Sequence, residues 1–120
     1  MVGAGGCLGA IGRYLVGGLV HRLVPLATFP YGTLTANVVG CLVIGFLGGL
    51  SELHGVFSGR SREFLFIGVL GGFTTFSSFA FETLTLTRGG ETISAIANIA
   101  LHLVCCLAAV WVGSALSRAV

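Results

Sequence analysis

Charged residues are scarce in this sequence. Only 8% of its 120 residues are Asp, Glu, Lys or Arg, whereas soluble domains contain about 25%. Lysine is absent, and no acidic residue occurs before Glu52. So little charge excludes a soluble domain as a major part of the chain, and six scattered arginines provide no basic surface for nucleic acid.

Catalytic and nucleotide-binding motifs are also missing. The sequence contains no G-x-S-x-G, H-E-x-x-H or Walker A motif and no His/Cys/Glu cluster at metal-ligand spacing. Its four cysteines, Cys7, Cys41, Cys105 and Cys106, include no C-x-x-C pair, so we interpret them mainly as packing residues. We therefore predict a protein that is not an enzyme and that binds no nucleotide.

Long hydrophobic runs occupy most of the chain instead. Hydrophobic residues make up 55% of the sequence, and a membrane-spanning helix needs about 20 mostly apolar residues. Four windows meet this requirement, at residues 2–23, 31–53, 64–86 and 92–116. We predict an all-α, multi-pass membrane protein in which residues 1–120 form a single domain of four transmembrane helices.

Glycine is abundant as well, with 20 copies. Small residues four positions apart allow the backbones of two membrane helices to approach closely. Four such pairs together predict a tightly packed bundle: Gly5 and Gly9, Gly45 and Gly49, Gly68 and Gly72, and Ala109 and Gly113.

The third window contains an unusual polar stretch, Gly71-Gly72-Phe73-Thr74-Thr75-Phe76-Ser77-Ser78-Phe79. Two glycines and four hydroxyls at membrane depth predict that the third helix is broken at mid-membrane, where protein or a water-filled site must receive the freed carbonyls. Carbonyls freed in this way bind cations. Phe76 and Phe79 are three residues apart, so a helix that resumes there projects both rings from one face.

Of the four charged residues within the predicted spans, Arg13 and Glu82 are candidates for function. A charge at mid-helix costs about 2.5 to 3.5 kcal/mol on insertion scales, so Arg13 is expected either to face the bundle or an aqueous vestibule, or to extend to the interface beside Tyr14. Glu82 follows Thr75 by about two helical turns. It could line a vestibule or pair with an arginine at the interface.

Uncharged polar residues mark one face of the second and fourth spans. Thr33 and Asn37 are four residues apart, and the Asn37 amide could either hold two helices together or donate protons to an anion. In the fourth span Asn98, His102 and Cys106 recur every four residues. Any conducting path would run along Asn37, the two phenylalanines and this stripe.

The arginines are almost evenly distributed between the two sides of the membrane. Four spans place Arg60, Arg62 and Arg118 on one side and Arg22 and Arg88 on the other. So small a bias permits insertion in both directions and an antiparallel homodimer, although the first helix could still fix a single orientation. In such a dimer the broken third helices could cross at the centre and enclose a cation with their carbonyls.

These segments resemble the Fluc (CrcB) fluoride channels. Three stretches carry the resemblance, in the family's order and spacing: residues 9–14 (Gly-Ala-Ile-Gly-Arg-Tyr), residues 29–40 (Phe-Pro-Tyr-Gly-Thr-Leu-Thr-Ala-Asn-Val-Val-Gly) and residues 71–79. The resemblance implies a dual-topology homodimer with two antiparallel pores. It also implies a central, structural sodium ion (Na+) held by the main-chain carbonyls of Gly71 and Thr74.

The resemblance also assigns individual residues to the fluoride pathway. It implies that Phe76 and Phe79 line the pore with their ring edges and that Asn37 donates to the ion. It implies that Thr33, Ser78 and, on the fourth span, His102 lie along the pore, although this span departs from the family pattern. Arg13 and Glu82 match residues of the pore vestibule.

The function implied is a passive, fluoride-selective channel that lowers cytoplasmic fluoride from the plasma membrane, which in bacteria is the cell inner membrane. Its partners would be fluoride, a second copy of the chain and the lipid bilayer. The alternative is a small dual-topology, proton-coupled multidrug exporter, which needs a carboxylate at the centre of its membrane site. Glu82 lies near a helix end and no acidic residue precedes Glu52, so the sequence favours the channel.

Overall fold

The computed structural model describes all 120 residues and contains only helices and the turns between them. Helix α1 comprises Val2–Leu23, helix α2 comprises Tyr31–His54, and the last helix comprises Thr92–Ser117. Between them, the third span comprises Gly59–Arg88. All four are long and apolar enough to cross a membrane, which confirms the four predicted spans and a multi-pass membrane protein.

The third span is built from several short pieces. A helical turn, α3 (Gly59–Arg62), leads into a π-helix (Glu63–Leu70) and then into another turn, α4 (Gly71–Phe73). Two residues with extended dihedral angles follow, Thr74 (φ −84°, ψ 157°) and Thr75 (φ −154°, ψ 116°). Helix α5 then comprises Phe76–Arg88, and the final helix, Thr92–Ser117, is α6.

Glycines lie at the contacts of two helix pairs, α1 with the third span and α2 with α6. On α1, Gly5 and Gly9 face Gly68 and Gly72 of the third span, and a Cβ added at Gly5 would lie 3.0 Å from the Gly68 Cα. Gly45 and Gly49 of α2 face the α6 segment Val110–Ser117, in which Gly113 closes the same contact. The prediction of close helix contacts at these positions is thus confirmed.

The order of these contacts fixes the helix directions. Gly45 lies against Val110, and Gly49, four residues further along α2, lies against Ser117, so α2 and α6 run in the same direction. This parallel arrangement puts the polar residues of α2 at the same level as those of α6. Asn37 and His102 consequently border one cavity.

The interior is small and contains several polar side chains, whereas much of the surface is apolar. Only 17 of 120 residues are buried, and the largest fully buried side chains are those of Asn98 and Ser117. Large side chains such as Phe76 and Trp111 are 79% and 76% exposed in the single chain. Such a surface suits contact with lipid or with another copy of the chain, because exposing so much apolar surface to water is unfavourable.

Candidate functional site

Thr75 is at the centre of the candidate site because Asn37 binds both polar groups of its backbone. The Thr75 N–H donates to Asn37 Oδ1 over 2.8 Å, and Asn37 Nδ2 donates to the Thr75 carbonyl over 3.0 Å. Both residues are buried. The Asn37 side chain thereby replaces the backbone hydrogen bonds that Thr75 would make in a continuous helix. Such a replacement is required inside a membrane, where no water is present to bind the Thr75 N–H and carbonyl.

The Thr75 side chain also begins helix α5. Its Oγ1 accepts the backbone N–H of Ser78 over 3.1 Å and donates to the Ser78 hydroxyl over 3.0 Å. A threonine at this position satisfies one of the free N–H groups at a helix start. Because Ser78 Oγ accepts this hydrogen bond, its own hydroxyl hydrogen is free to bind another acceptor.

One cavity, here called the aromatic cavity, lies on one side of Thr75. Its volume is about 390 Å³, and its walls include Asn37, Phe76, Phe79, His102 and Cys106. The ring centroids of Phe76 and Phe79 are 5.2 Å apart, and those of Phe79 and His102 are 4.4 Å apart. Four of the predicted pore residues, Asn37, Phe76, Phe79 and His102, are therefore brought together by the fold.

A second cavity, here called the polar cavity, lies on the other side of Thr75. Its volume is about 690 Å³, and it is lined by Arg13, Thr33, Ser78 and Glu82. The Thr33 hydroxyl donates to Glu82 Oε1 over 2.5 Å. Thr75 borders both cavities, and the residues predicted for the vestibule, Arg13 and Glu82, share a cavity with two of those predicted for the pore.

The polar stripe of α6 is largely engaged within the chain. Asn98 Nδ2 donates to Thr83 Oγ1 over 2.9 Å, and His102 Nδ1 lies 3.0 Å from the Asn98 carbonyl oxygen. A carbonyl can only accept, so Nδ1 carries a proton, and a neutral His102 ring then has its lone pair at Nε2. That Nε2 is buried without a hydrogen-bond partner.

The carbonyls predicted to hold a cation belong to Gly71 and Thr74, in the segment that leads to Thr75. The Thr74 carbonyl accepts no hydrogen bond. The N–H of Thr75, which would bind the Gly71 carbonyl in a continuous helix, donates to Asn37 instead. Gly71 and Thr74 both border the aromatic cavity.

Two contacts were not predicted from the sequence. The sequence indicated the polarity of Asn37 and the irregularity of the Thr74-Thr75 segment, but not that the two would bind each other. It also singled out Thr33 and Glu82 without pairing them. The only sequence signal for these two contacts was the presence of polar groups within the apolar spans, since each polar group inside a membrane must find a hydrogen-bond partner.

The fold and the site define a class: a multi-pass, all-helical membrane protein whose interior polar groups are mainly uncharged and border two cavities that meet at one extended backbone segment. A family model described as "CrcB-like protein, Camphor Resistance (CrcB)" matches residues 1–114. The chain belongs to this CrcB family.

Several relatives are similar over nearly the whole chain. A protein of Opitutus terrae is 46% identical over 114 residues, which cover 93% of this chain and 86% of the relative. One of Methylocella silvestris is 46% identical over 118 residues, covering 97% and 89%. One of Clostridium novyi is 39% identical over 120 residues, covering 100% and 93%. Each is named a fluoride-specific ion channel FluC.

Proposed function

We propose that this protein is a passive, fluoride-selective ion channel of the plasma membrane that lowers cytoplasmic fluoride. As a member of a family of ion channels, it is not an enzyme. The observation that carries the proposal is the aromatic cavity, in which Asn37, Phe76 and Phe79 from two different spans share one wall. The names of the relatives identify the ion.

The donors bordering the two cavities fit a small, strongly hydrated anion. Fluoride can leave water only where protein donors replace its hydration shell. Ser78 has a free hydroxyl hydrogen, and Asn37 retains a second N–H that makes no hydrogen bond within the chain. The positive ring edges of Phe76 and Phe79 add weaker contacts. An ion would thus pass from the polar cavity, past Thr75, into the aromatic cavity.

Not every predicted pore residue can donate in the observed arrangement. The Thr33 hydroxyl already gives its hydrogen to Glu82. His102 donates its Nδ1 proton to the Asn98 carbonyl, so the neutral ring presents a lone pair at Nε2. Fluoride would therefore depend mainly on Asn37 and Ser78, whereas Thr33 and His102 shape the path and become donors only if these hydrogen bonds change.

The proposed assembly is an antiparallel homodimer with two pores and a structural sodium ion at its centre. The two extended residues, Thr74 and Thr75, would lie at mid-membrane, where the third spans of the two copies cross. The Thr74 carbonyl accepts no hydrogen bond, and the Thr75 N–H that would bind the Gly71 carbonyl donates to Asn37 instead. Both carbonyl oxygens could therefore bind a sodium ion, which takes oxygen ligands. The 79% exposure of Phe76 supports a second copy nearby.

The decisive experiment is an ion flux assay with purified protein in liposomes. We expect fluoride efflux, no comparable chloride efflux, and no dependence on a proton gradient. Comparable chloride flux would contradict the proposed fluoride selectivity. Strict coupling to protons would favour the alternative, a proton-coupled exporter.

Orientation and sodium are tested separately. In a variant whose four native cysteines are replaced, labelling one cysteine introduced in the loop after α2 should reach about half of the molecules from each side of sealed vesicles. Labelling from one side only would exclude the dual-topology dimer. Replacing sodium with a large organic cation should weaken the dimer, and an unchanged dimer would argue against the central ion.

A further inference from the structure

We propose that Cys41 and Cys106 form a binding site for one soft, thiol-seeking metal ion, such as Hg2+, Ag+ or Cu+, in the wall of the aromatic cavity. We further infer that the bound ion blocks the anion path. The second statement rests on the proposed channel function. The binding itself does not.

The packing of α2 on α6 brings these two thiols together. One turn beyond Cys41, Gly45 lies directly against the backbone of Val110, so the two parallel helices approach closely at this level. Cys106 precedes Val110 by four residues, as Cys41 precedes Gly45, so the same parallel packing places Cys106 opposite Cys41 one turn earlier. Both cysteines are half-buried, both border the aromatic cavity, and neither is in a disulfide.

His102 is a separate sign that this cavity suits a ligand that accepts electron pairs. Its side chain is only 7% exposed, borders the same cavity, and has a buried Nε2 with no partner. Nδ1 carries the proton, so Nε2 presents a lone pair. Such a lone pair can bind a metal cation, as can the sulfurs of two thiolates.

The number of donors determines the class of metal. No three His, Cys, Asp or Glu side chains converge closely enough to hold an ion together. A structural zinc site, which takes four ligands in a tetrahedron, is therefore not available. Soft ions that accept two thiolates in a linear arrangement need only Cys41 and Cys106, and soft thiolate ligands select such ions over hard ones.

Binding is a proton exchange without oxidation. Each thiol releases its proton to water, and the two thiolates then bind the metal ion, which is supplied as a salt and keeps its oxidation state. The bound ion would occupy part of a cavity of about 390 Å³ that also contains the wall formed by Asn37, Phe76 and Phe79. Fluoride could not pass by the same route.

The test uses two matched variants of the full-length protein, each with two of the four cysteines. In the first variant, Cys7→Ala and Cys105→Ala leave the Cys41 and Cys106 pair. In the second, Cys41→Ala and Cys106→Ala leave Cys7, which is exposed, and Cys105, which lies next to Cys106 but does not border the cavity. Each is titrated with Hg2+ as the chloride, and the remaining thiols are counted with a chromogenic disulfide.

We expect one Hg2+ to consume both thiols in the first variant and only one thiol in the second. A single Cys41→Ala change in the first variant should weaken binding by more than the 10–100-fold that loss of an outer-shell metal partner typically costs. Two Hg2+ ions bound by the first variant, or equal affinity after Cys41→Ala, would overturn the site.

Fluoride flux in liposomes is the second readout. Hg2+ should block flux through the first variant and leave flux through the second unchanged. If the wild-type protein passes no fluoride before Hg2+ is added, the channel proposal fails, while the stoichiometry still tests the site. If one Hg2+ binds both thiols and flux continues, the site stands and the block is overturned.

Discussion

The two cavities share Thr75 as a wall but differ in the chemistry of their other walls. The polar cavity is lined by an arginine, a carboxylate and hydroxyls, and it is the larger of the two at about 690 Å³. The aromatic cavity contains no side chain that carries a permanent charge, and phenyl rings, one imidazole and thiols form much of its wall.

This difference suggests a division of roles. A charged, roomy cavity can hold an ion that is still hydrated, because water and fixed charges remain available to it. An uncharged cavity lined by rings forces the ion to exchange water for a few donors, and selection between ions depends on that exchange. Thr75, held by Asn37, is the boundary between the two environments.

The largest effect is expected at this boundary. Asn37→Leu removes both hydrogen bonds to the Thr75 backbone at nearly constant volume, and each buried group left without a partner costs about 1–3 kcal/mol. We expect a large loss of thermal stability and no fluoride flux. Asn37→Asp, which keeps the acceptor for the Thr75 N–H, should lose less stability. A Leu variant that melts like the wild type would contradict the role assigned to Asn37.

A smaller effect is expected from a change on α1 that displaces Phe73, just before Thr75. A Cβ added at Gly9 would lie 2.7 Å from the Phe73 backbone nitrogen, so Gly9→Ala should cost about 1–3 kcal/mol through overpacking and should reduce flux. Gly18→Ala is the matched control on the same helix, since nothing lies within 4 Å of its added Cβ. Equal melting temperatures for the two variants would contradict the observed α1 contact.

Phe76→Ile tests the aromatic cavity without disturbing the fold of the chain. The Phe76 side chain is 79% exposed in the single chain, so stability should change little, whereas flux should fall at least about tenfold because one ring edge is lost. Phe81→Ile on the same helix is the control, as Phe81 is 68% exposed and borders neither cavity. Equal flux through both variants would exclude a selective role for Phe76.

The smallest effect is expected in the polar cavity. Thr33→Val removes the hydrogen bond to Glu82, worth about 0.5–1.5 kcal/mol, so flux should fall by about twofold to tenfold with selectivity retained. Thr35→Val, whose hydroxyl makes no hydrogen bond and borders neither cavity, should have no effect. If Thr33→Val changed selectivity more than Phe76→Ile does, the division of roles would be reversed.

Much of the fold could be predicted because its causes are local. The spans follow from runs of apolar residues, and the structure starts α1 and α2 at the predicted residues. The third span begins earlier than predicted, at Gly59, because the short α3 turn precedes the π-helix. The glycine pairs were identifiable because a missing side chain permits backbone contact whichever helix faces it.

The site could be predicted only as a set of residues. Asn37 and Thr75 were both identified, yet the sequence left open whether the Asn37 amide served a helix or an anion. In the structure one amide binds the backbone of a residue 38 positions away and keeps a second N–H. Likewise, the interpretation of Cys41 as a packing residue could not include its proximity to Cys106, which depends on the parallel packing of α2 on α6.

The sequence by itself determined that this chain crosses a membrane four times, that its helices pack through glycine, and that the third span carries polar groups at membrane depth, because hydropathy, side-chain size and hydrogen-bonding capacity are properties of single residues. The tertiary structure alone decided which groups satisfy one another, Asn37 with Thr75 and Thr33 with Glu82, and that Cys41 and Cys106 border one cavity. Those choices depend on the direction and level at which helices meet, and a local pattern does not record them.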